Sequence, residues 1–212
     1  MTKIPNSLIR CLEKEEYAHS FLKGEIRFGL LDYYKKIEDS RQDKKEGEVS
    51  FYWNQKAPQL IIDKKTGEII GKSESNKNIH CIGSSLNPYY ILCTSHPEAD
   101  IDILKKKYGQ VILLINDPLK LLERIKIAWS NHPLAFNGCA FIAPVVYNKE
   151  GVLEPDPYLL SPPEYSYSQK HSSDMEDREC RYVLKCRVDT NRKLQDVLFL
   201  SVPNCSDICS LG

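Results

Sequence analysis

The chain has 212 residues, 42% of them hydrophobic, and its 29 Lys and Arg residues balance its 29 Asp and Glu residues. This length and composition predict a single globular domain over residues 1–212 with a core of ordinary size, and they exclude wholesale disorder. Because the formal net charge is zero, we expect no long-range attraction to a nucleic-acid backbone or an anionic membrane, and a small ligand is preferred over a polyanion.

No segment of the sequence is typical of export or membrane insertion. Residues 1–16 (MTKIPNSLIRCLEKEE) lack the apolar run of a signal peptide, and no stretch approaches the roughly 20 apolar residues that span a bilayer. We therefore expect a cytoplasmic protein without a membrane partner.

The eight cysteines are predicted to be reduced thiols, because disulfides are rare in cytoplasmic proteins. Zinc binding is the alternative, with His80, Cys81, Cys205 and Cys209 as conceivable ligands. The chain has no C-x2-C motif, however, and the spacing of Cys205 and Cys209 stands alone, so no metal is predicted.

Apolar periodicity predicts a helix, a strand and a hairpin in the first third of the chain. A helix over Leu12–Lys23 that ends before Gly24 is predicted by four residues that share one helical face, namely Tyr17, Ala18, Phe21 and Leu22. Strict alternation of apolar residues predicts a half-buried strand over Glu25–Leu31. Two isoleucine pairs flank a Lys-Lys-Thr-Gly turn, which predicts a hairpin over Gln59–Lys72.

The rest of the chain is predicted to alternate between short strands and two further helices. The strands are Ile79–Gly83, Tyr89–Thr94, Gln110–Asn116, Cys139–Tyr147, Cys180–Val188 and Val197–Val202. The run Gln110–Asn116 is continuously apolar and therefore suits a buried central strand. One helix is predicted over Asp102–Tyr108, and a second begins at Asp117–Pro118, an N-cap and first-turn pair, and continues to Ala128.

These elements together predict the fold class. Glu154–Glu164 contains four of the twelve prolines and is expected to be an exposed loop. About eight or nine short strands with about three helices predict an α+β domain with a mixed or antiparallel sheet.

Three polar segments that are distant in sequence are candidates for one site. Phe28–Gly47 places a tyrosine pair, an arginine and several carboxylates directly after a predicted strand. Tyr89–Ser95 and Asp177–Tyr182 combine polar residues with strands in the same way. Scaffolds often present ligand sites where strands end, so we expect the three segments to form one pocket.

Two features of the first segment have competing interpretations. Tyr33 and Tyr34 either rim the core with wet hydroxyl groups or stack on a nicotinamide or base. The acidic residues that follow could bind a divalent ion, but their mixture with Arg41, Lys44 and Lys45 favours a solvent-exposed, mutually neutralising loop. These acidic residues are Glu38, Asp39, Asp43, Glu46 and Glu48.

The sequence has no glycine-rich phosphate loop. Neither G-x-x-x-x-G-K-[ST] nor G-x-G-x-x-G occurs, so ATPase, GTPase and Rossmann dehydrogenase functions lose their strongest support. A transferase that binds a dinucleotide by another arrangement is still compatible with the sequence.

The order of several features resembles a large uncharacterised bacterial family. The features include an Arg-bearing first segment, a strand followed by Tyr-Tyr, a central C-x-S and a Val-Tyr strand end. The family typically reads E-x-E-[WY]-R near its C-terminus, where this chain has Asp177, Glu179 and Arg181, with Lys170 upstream. Asp177 and Cys180 replace the more usual Glu and aromatic residue. Members are often met among mobile or defence-associated genes, so the resemblance implies a role in anti-phage defence or phage–host conflict.

A more remote resemblance is to the ADP-ribosyltransferase superfamily. That superfamily orders an Arg or His at the end of its first strand, a Ser-Thr-Ser-like central strand, and a Glu in an E/Q-x-E pattern before a late strand. Arg10, the tripeptide Cys93–Thr94–Ser95 and the pair Asp177-x-Glu179 occur here in that order. The resemblance implies an ADP-ribosyltransferase-like arrangement in which NAD is the substrate and the acceptor is a protein or a nucleic acid.

The resemblance also implies which residues bind the dinucleotide. A cation would hold its phosphate and ribose, small hydroxyls would support the nicotinamide ribose, and a tyrosine ring would stack on the nicotinamide. The implied binding residues are Arg10, Tyr33, Tyr34, Thr94 and Ser95.

The implied catalytic residues are Glu179 and Asp177. Such chemistry requires a carboxylate that stabilises an oxocarbenium-like transition state as nicotinamide leaves. In the alternative interpretation, Glu179 pairs with Arg178 or Arg181 on a solvated surface. The protein would then be a non-enzymatic binding or sensor module of a defence system that uses the same cleft.

Overall fold

The computed structural model describes residues 4–34, 48–54, 59–62, 66–73, 78–84, 88–148, 168–187 and 193–212. Within these ranges the chain is an α+β protein that has three α-helices and an open antiparallel sheet of eight strands. The predicted fold class, sheet type and number of helices are therefore confirmed. The predicted loop over Glu154–Glu164 lies outside the described residues.

The described helices are α1 (Glu15–Leu22), α2 (Ile101–Tyr108) and α3 (Pro118–Ser130). The described strands are β1 (Leu8–Leu12), β2 (Glu25–Leu30), β3 (Glu48–Asn54), β4 (Gln59–Ile62), β5 (Ile69–Ser73), β6 (Asn78–Ser84), β7 (Tyr89–Ser95), β8 (Val111–Ile115), β9 (Ala135–Pro144), β10 (Val146–Asn148), β11 (Gln169–His171), β12 (Glu179–Cys186), β13 (Val197–Ser201) and β14 (Cys209–Leu211). Short 3-10 helices cover Leu31–Tyr33 and Ser172–Asp177.

Strand β7 is the branch point of the eight-stranded sheet. On one side it pairs with β12 along its whole length, from Tyr89 to Ser95. On the other side its described ladder partners belong to two strands, β2 at Tyr90 and Ile91 and β1 at Ser95. The sheet therefore forks beside Cys93. One arm continues from β2 to β13, the other continues from β1 through β8 to β14, and β9 lies beyond β12.

The N-terminal strand β1 displaces the start of the first predicted helix. Leu8–Leu12 pairs residue by residue with β8, from Leu8 opposite Ile115 to Leu12 opposite Val111. Because Leu12 is committed to this ladder, helix α1 begins at Glu15 rather than at Leu12. Tertiary pairing of this kind overrides a short helical pattern.

Alternate residues of β7 and β12 divide between the two faces of the sheet. Tyr90, Leu92, Tyr182 and Leu184 belong to the main core, together with residues of α1 and α3. Tyr89, Ile91 and Val183 face the opposite way and pack with Leu31 in a smaller cluster. The polar residues of β12 share this second face, because side chains alternate along a strand.

The signals at helix ends act as predicted. The Asp117 carboxylate accepts a hydrogen bond from the Lys120 amide at 2.9 Å, and Pro118 occupies the first turn of α3.

Strands β4 and β5 pair as an antiparallel hairpin, which confirms the prediction for Gln59–Lys72. The predicted strand Cys139–Tyr147 is instead divided into β9, which starts at Ala135 and ends at Pro144, and β10, which pairs in parallel with β11.

The side chains of seven cysteines are described, and all seven are free thiols. Burial raises the pKa of the Cys180, Cys186 and Cys209 thiols to about 12. They are therefore protonated and behave as small apolar side chains. None of the helices within the described ranges is long and apolar enough to cross a bilayer.

We expect Gly24→Ala to destabilise the sheet strongly. Gly24 has a φ of 95°, and a Cβ atom there would lie 2.1 Å from the Val202 carbonyl oxygen. The strain should lower the free energy of unfolding by about 2 kcal/mol, or the melting temperature by about 4–8 °C. Gly67→Ala is the control, because Gly67 also has a positive φ but no neighbour within 4 Å of such a Cβ. Equal melting temperatures of the two variants would contradict the steric argument.

Candidate functional site

A cavity of about 690 Å³ occupies the fork of the sheet. Its lining includes residues of β1, α1, β2, β7 and β12. Both arms of the fork, β1 and β2, therefore contribute to its walls together with β7 and its partner β12. The volume lies within the range of small-molecule sites, which is about 300–1,000 Å³.

Six of the seven predicted site residues line this cavity, namely Arg10, Tyr33, Tyr34, Thr94, Ser95 and Glu179. Asp177 is not part of the lining. Ser95 is the direct ladder partner of both Glu179 and Ile9, which explains how three distant segments meet. Paired residues of neighbouring strands project from the same face, so Ser95 and Glu179 lie side by side.

Arg10 connects the two sides of the fork. Its guanidinium Nη1 donates a hydrogen bond to the carbonyl oxygen of Cys93, at the position where β1 and β2 separate from β7. The arginine thereby satisfies a backbone acceptor that a neighbouring strand would otherwise pair. Burial is the main cause of a lowered pKa of the half-buried Arg10. A guanidinium has about five N–H donors, so one bond to a carbonyl leaves donors for a ligand.

The two hydroxyl residues at the end of β7 are buried. Thr94 Oγ1 donates to the carbonyl oxygen of Cys180 and so reinforces the pairing of β7 with β12. Thr94 and Ser95 are only 2% and 6% exposed, respectively. Both residues line the cavity, and Ser95 is the one whose side chain lies on the same face of the sheet as Glu179, because adjacent side chains of a strand point to opposite faces.

The carboxylate of Glu179 is held between two cations. Lys170 Nζ donates to Glu179 Oε1 at 2.7 Å, and Arg181 Nε donates to Glu179 Oε2 at 2.8 Å. The exposed fractions are 6% for Glu179, 8% for Lys170 and 0% for Arg181. Glu179 thus pairs with Arg181, as the alternative interpretation predicts, but the pair is buried and does not lie on a solvated surface.

The electrostatics of this trio keep Glu179 ionised. Burial alone would raise the pKa of its carboxyl, but the charges and hydrogen bonds of Arg181 and Lys170 outweigh burial and lower the pKa to about 2. The Glu179 amide also donates to Tyr147 Oη at 2.8 Å, which anchors the start of β12. Glu179 is therefore a fixed anion at neutral pH.

Asp177 lies beside this trio in a second set of polar contacts. Its Oδ2 atom accepts hydrogen bonds from Lys107 Nζ and Tyr108 Oη, each at 2.6 Å. Lys170 Nζ is 3.9 Å from the same oxygen, so Lys170 lies between the two predicted carboxylates. Tyr108 itself lines the cavity. Asp177 can therefore act on the cavity only through its neighbours.

The backbone between the two carboxylates is left-handed. Arg178 has a φ of 42°, a conformation that is uncommon for a residue with a side chain. Asp177 and Glu179 are both buried, whereas the Arg178 side chain is exposed and pairs with Glu98 at 2.8 Å. This turn lets both acidic residues of the D-x-E motif enter the interior, Asp177 just before β12 and Glu179 as its first residue.

The two tyrosines form a wall of the cavity. The rings of Tyr33 and Tyr34 meet edge to face, with centroids 5.8 Å apart. The Tyr34 ring lies against Gly29, where a Cβ atom would be 2.7 Å from the Tyr34 hydroxyl oxygen. Tyr34 also packs against the smaller hydrophobic cluster, so the same side chain stabilises the fold and lines the cavity.

Several cavity residues were not predicted as site residues. Lys170 and Arg181 belong to the late motif without a predicted role in the site, and Tyr108 is predicted only as part of a helix. Arg27 could have been found from the alternation in β2, which places it on the face opposite Ile26 and Phe28. The remaining unpredicted positions include Tyr17 on α1 and Phe199 on β13.

The described residues contain no group of three or more His, Cys, Asp or Glu side chains that could hold a metal ion. Candidate ligands Glu38, Asp39, Asp43 and Glu46 lie outside the described residues, as do the side chains of Glu48, His80 and Cys81.

Comparisons with protein-family models, with curated proteins and with solved structures give no match to this chain.

We expect Glu179→Gln to lower the free energy of unfolding at pH 7 by about 3 kcal/mol, because it leaves two buried cations beside a neutral amide. The carboxyl has a lowered pKa of about 2 in the folded protein against an ordinary 4.5, so its contribution to stability is present above pH 4.5. The contribution is lost as the pH falls toward 2. Urea unfolding of wild type and variant should therefore differ most at neutral pH and converge in acid.

Glu123→Gln is the matched control for this experiment. Glu123 lies on an exposed face of α3, so its substitution should change the free energy of unfolding by less than about 0.5 kcal/mol at any pH. A Glu179 variant as stable as the Glu123 variant at pH 7 would contradict the buried ion-pair arrangement.

Proposed function

We propose that the cavity binds NAD and that the protein is an ADP-ribosyltransferase-like enzyme. The observation that carries this proposal is that Arg10, Ser95 and Glu179, from three distant segments, line one cavity at the fork of the sheet. They are the residues that the resemblance to ADP-ribosyltransferases singles out. The acceptor of ADP-ribose would be a protein or a nucleic acid, or water in a hydrolytic reaction.

The inner end of the cavity offers a place for the nicotinamide ribose. Arg10 would donate to a phosphate or ribose oxygen, and the small side chains of Thr94 and Ser95 leave room for the sugar. Tyr33 and Tyr34 present aromatic surface for the nicotinamide ring. These are the groups that an anionic dinucleotide such as NAD needs around its reacting carbon.

The reaction would break the bond between ribose C1′ and the nicotinamide nitrogen. The electron pair of that bond leaves with the nitrogen, which converts the pyridinium ring into neutral nicotinamide and leaves positive charge on the ribose. Glu179, an anion with a pKa of about 2, would stabilise this charge. An acceptor hydroxyl, amine or water then forms the new bond to C1′ and releases a proton.

Lys170 and Arg181 would position the catalytic carboxylate. A carboxylate can accept about four hydrogen bonds, so each Glu179 oxygen can still accept one from a ribose hydroxyl. Asp177 does not line the cavity, and its contacts with Lys107, Tyr108 and Lys170 make it a positioning residue in this proposal.

One observation favours a second candidate function, a non-enzymatic nucleotide-binding module. Both oxygens of Glu179 are already hydrogen-bonded to buried cations, which weakens the field that this carboxylate can exert on a developing positive charge. A sensor that only binds the dinucleotide would need the same cavity and the same fixed charges. In either case, a role in anti-phage defence or phage–host conflict is the biological setting that the resemblance to the bacterial family supports.

We expect Glu179→Asp to reduce nicotinamide release from NAD about a hundredfold. Aspartate retains the negative charge between Lys170 and Arg181 but withdraws it from the cavity by one methylene, so folding and NAD binding should largely survive. Nicotinamide release would be measured with candidate protein and nucleic-acid acceptors, and NAD binding by the rise in melting temperature. Glu123→Asp, on the exposed face of α3, is the control.

The outcomes separate the two candidate functions. Wild-type turnover that Glu179→Asp leaves unchanged would exclude Glu179 as the catalytic carboxylate. A rise in melting temperature on addition of NAD, without release of nicotinamide, would favour the binding module. If NAD neither binds nor reacts, both candidates fail.

A further inference from the structure

Two large aromatic side chains of the cavity lining are exposed to solvent. Phe199 on β13 is 69% exposed and Tyr17 on α1 is 46% exposed. Their neighbours Leu200 and Ala18 are buried in the main core, so the two rings are not part of its packing. Exposed rings within a concave site are surfaces on which a flat aromatic ligand can stack.

Arg27 is the cross-strand neighbour of Phe199. The two residues are direct ladder partners in β2 and β13, so their side chains project from the same face about 5 Å apart at Cβ. Arg27 also lines the cavity, and its charge contributes to the lowered pKa of Arg10 after the larger effect of burial. Arg27 lies on β2 and Arg10 on β1, so the two arginines belong to different arms of the fork. An anionic group between the two guanidinium groups would relieve their electrostatic repulsion.

We propose that Phe199, Arg27 and Tyr17 form a subsite for the adenine end of an adenine nucleotide. The base stacks on the Phe199 and Tyr17 rings, and Arg27 binds the adjacent phosphate. The inference rests on the proposed function for the identity of the whole ligand. The subsite itself is tested separately, with ligands that contain only one half of NAD.

The exposure of the lining residues determines the direction of the ligand. Glu179 is 6% exposed at the inner end, whereas Phe199 is 69% exposed, so the ribose that reacts lies deep and the adenine lies at the mouth. Lys14 Nζ lies 5.6 Å from the centre of the Tyr17 ring, and in this proposal the base stacks on the ring face that points away from Lys14.

Three exposed carboxylates complete the mouth of the cavity, those of Glu13, Glu16 and Glu25. Carboxylates accept hydrogen bonds from an exocyclic amino group, which adenine has and uracil lacks. They also repel phosphates. The phosphates of the ligand are therefore directed inward, toward Arg27 and Arg10.

The test compares the affinities of ADP and nicotinamide mononucleotide by isothermal titration calorimetry. We expect Phe199→Ala to weaken ADP binding about tenfold, the typical effect of losing one stacked ring, and to leave nicotinamide mononucleotide unchanged. Phe136→Ala is the control, because Phe136 is another partly exposed phenylalanine, 38% accessible, that is not in the cavity lining. It should change neither affinity.

Arg27→Gln tests the phosphate contact. This variant should weaken ADP about tenfold and adenosine by less than twofold, because adenosine has no phosphate for Arg27 to bind. Phe199 and Arg27 are both exposed, so melting temperatures close to that of wild type are expected for both variants.

Three results would overturn the subsite. They are absence of ADP binding to the wild type, an unchanged ADP affinity in Phe199→Ala, and equal weakening of ADP and nicotinamide mononucleotide in that variant. Failure of the proposed enzyme reaction is a separate result. ADP binding that depends on Phe199, together with NAD turnover that is absent or independent of Glu179, would retain the adenine subsite and reject the transferase.

Discussion

The unequal pairing of strand β7 is the constraint on which the rest of this architecture depends. One side of β7 is fully paired with β12, while its other side is shared between the ends of β1 and β2. Strands that leave a common neighbour in this way open a space between them. The Arg10 hydrogen bond to Cys93 fills the missing backbone contact, and the space becomes a polar cavity inside a sheet protein.

The charges buried beside this space are costly for the fold. Burying an ion pair loses the hydration energy of both charges, and their mutual attraction offsets this loss only when the geometry is good and additional hydrogen bonds are made. A protein with apolar residues of similar volume in place of the charged trio is often at least as stable. Arg181 is completely buried, yet it stands opposite Cys93 in the ladder beside the fork. Charged groups with perturbed pKa values are frequent at functional sites, and this trio lies next to the cavity in which the proposed reaction would take place.

The local pattern of the sequence was sufficient for elements whose signals are short-range. Strand β2, the β4–β5 hairpin and the capped helix α3 follow from alternation, turn residues and the Asp117–Pro118 pair. The fork could not be predicted, because it depends on which distant strands share β7. For the same reason the sequence places Tyr17 on an apolar helical face, whereas Tyr17 lies in the cavity lining. The sequence also allows Glu179 to form a solvated ion pair, whereas β12 is buried on both faces. Residues 10, 95 and 179 could be listed from a resemblance, but their meeting point is a property of the ladder register.

Strand β8 pairs with β1 on one side and with β14 on the other, so its two neighbours come from residues 8–12 and 209–211. Contacts between segments so far apart in sequence form late, because the entropy of closing the intervening chain must be overcome first. During translation, β1 and β8 are available long before β14 leaves the ribosome. The unpaired edge of β8 is then open to strands of other nascent chains, which makes a low expression level and a low temperature favourable conditions for producing this protein.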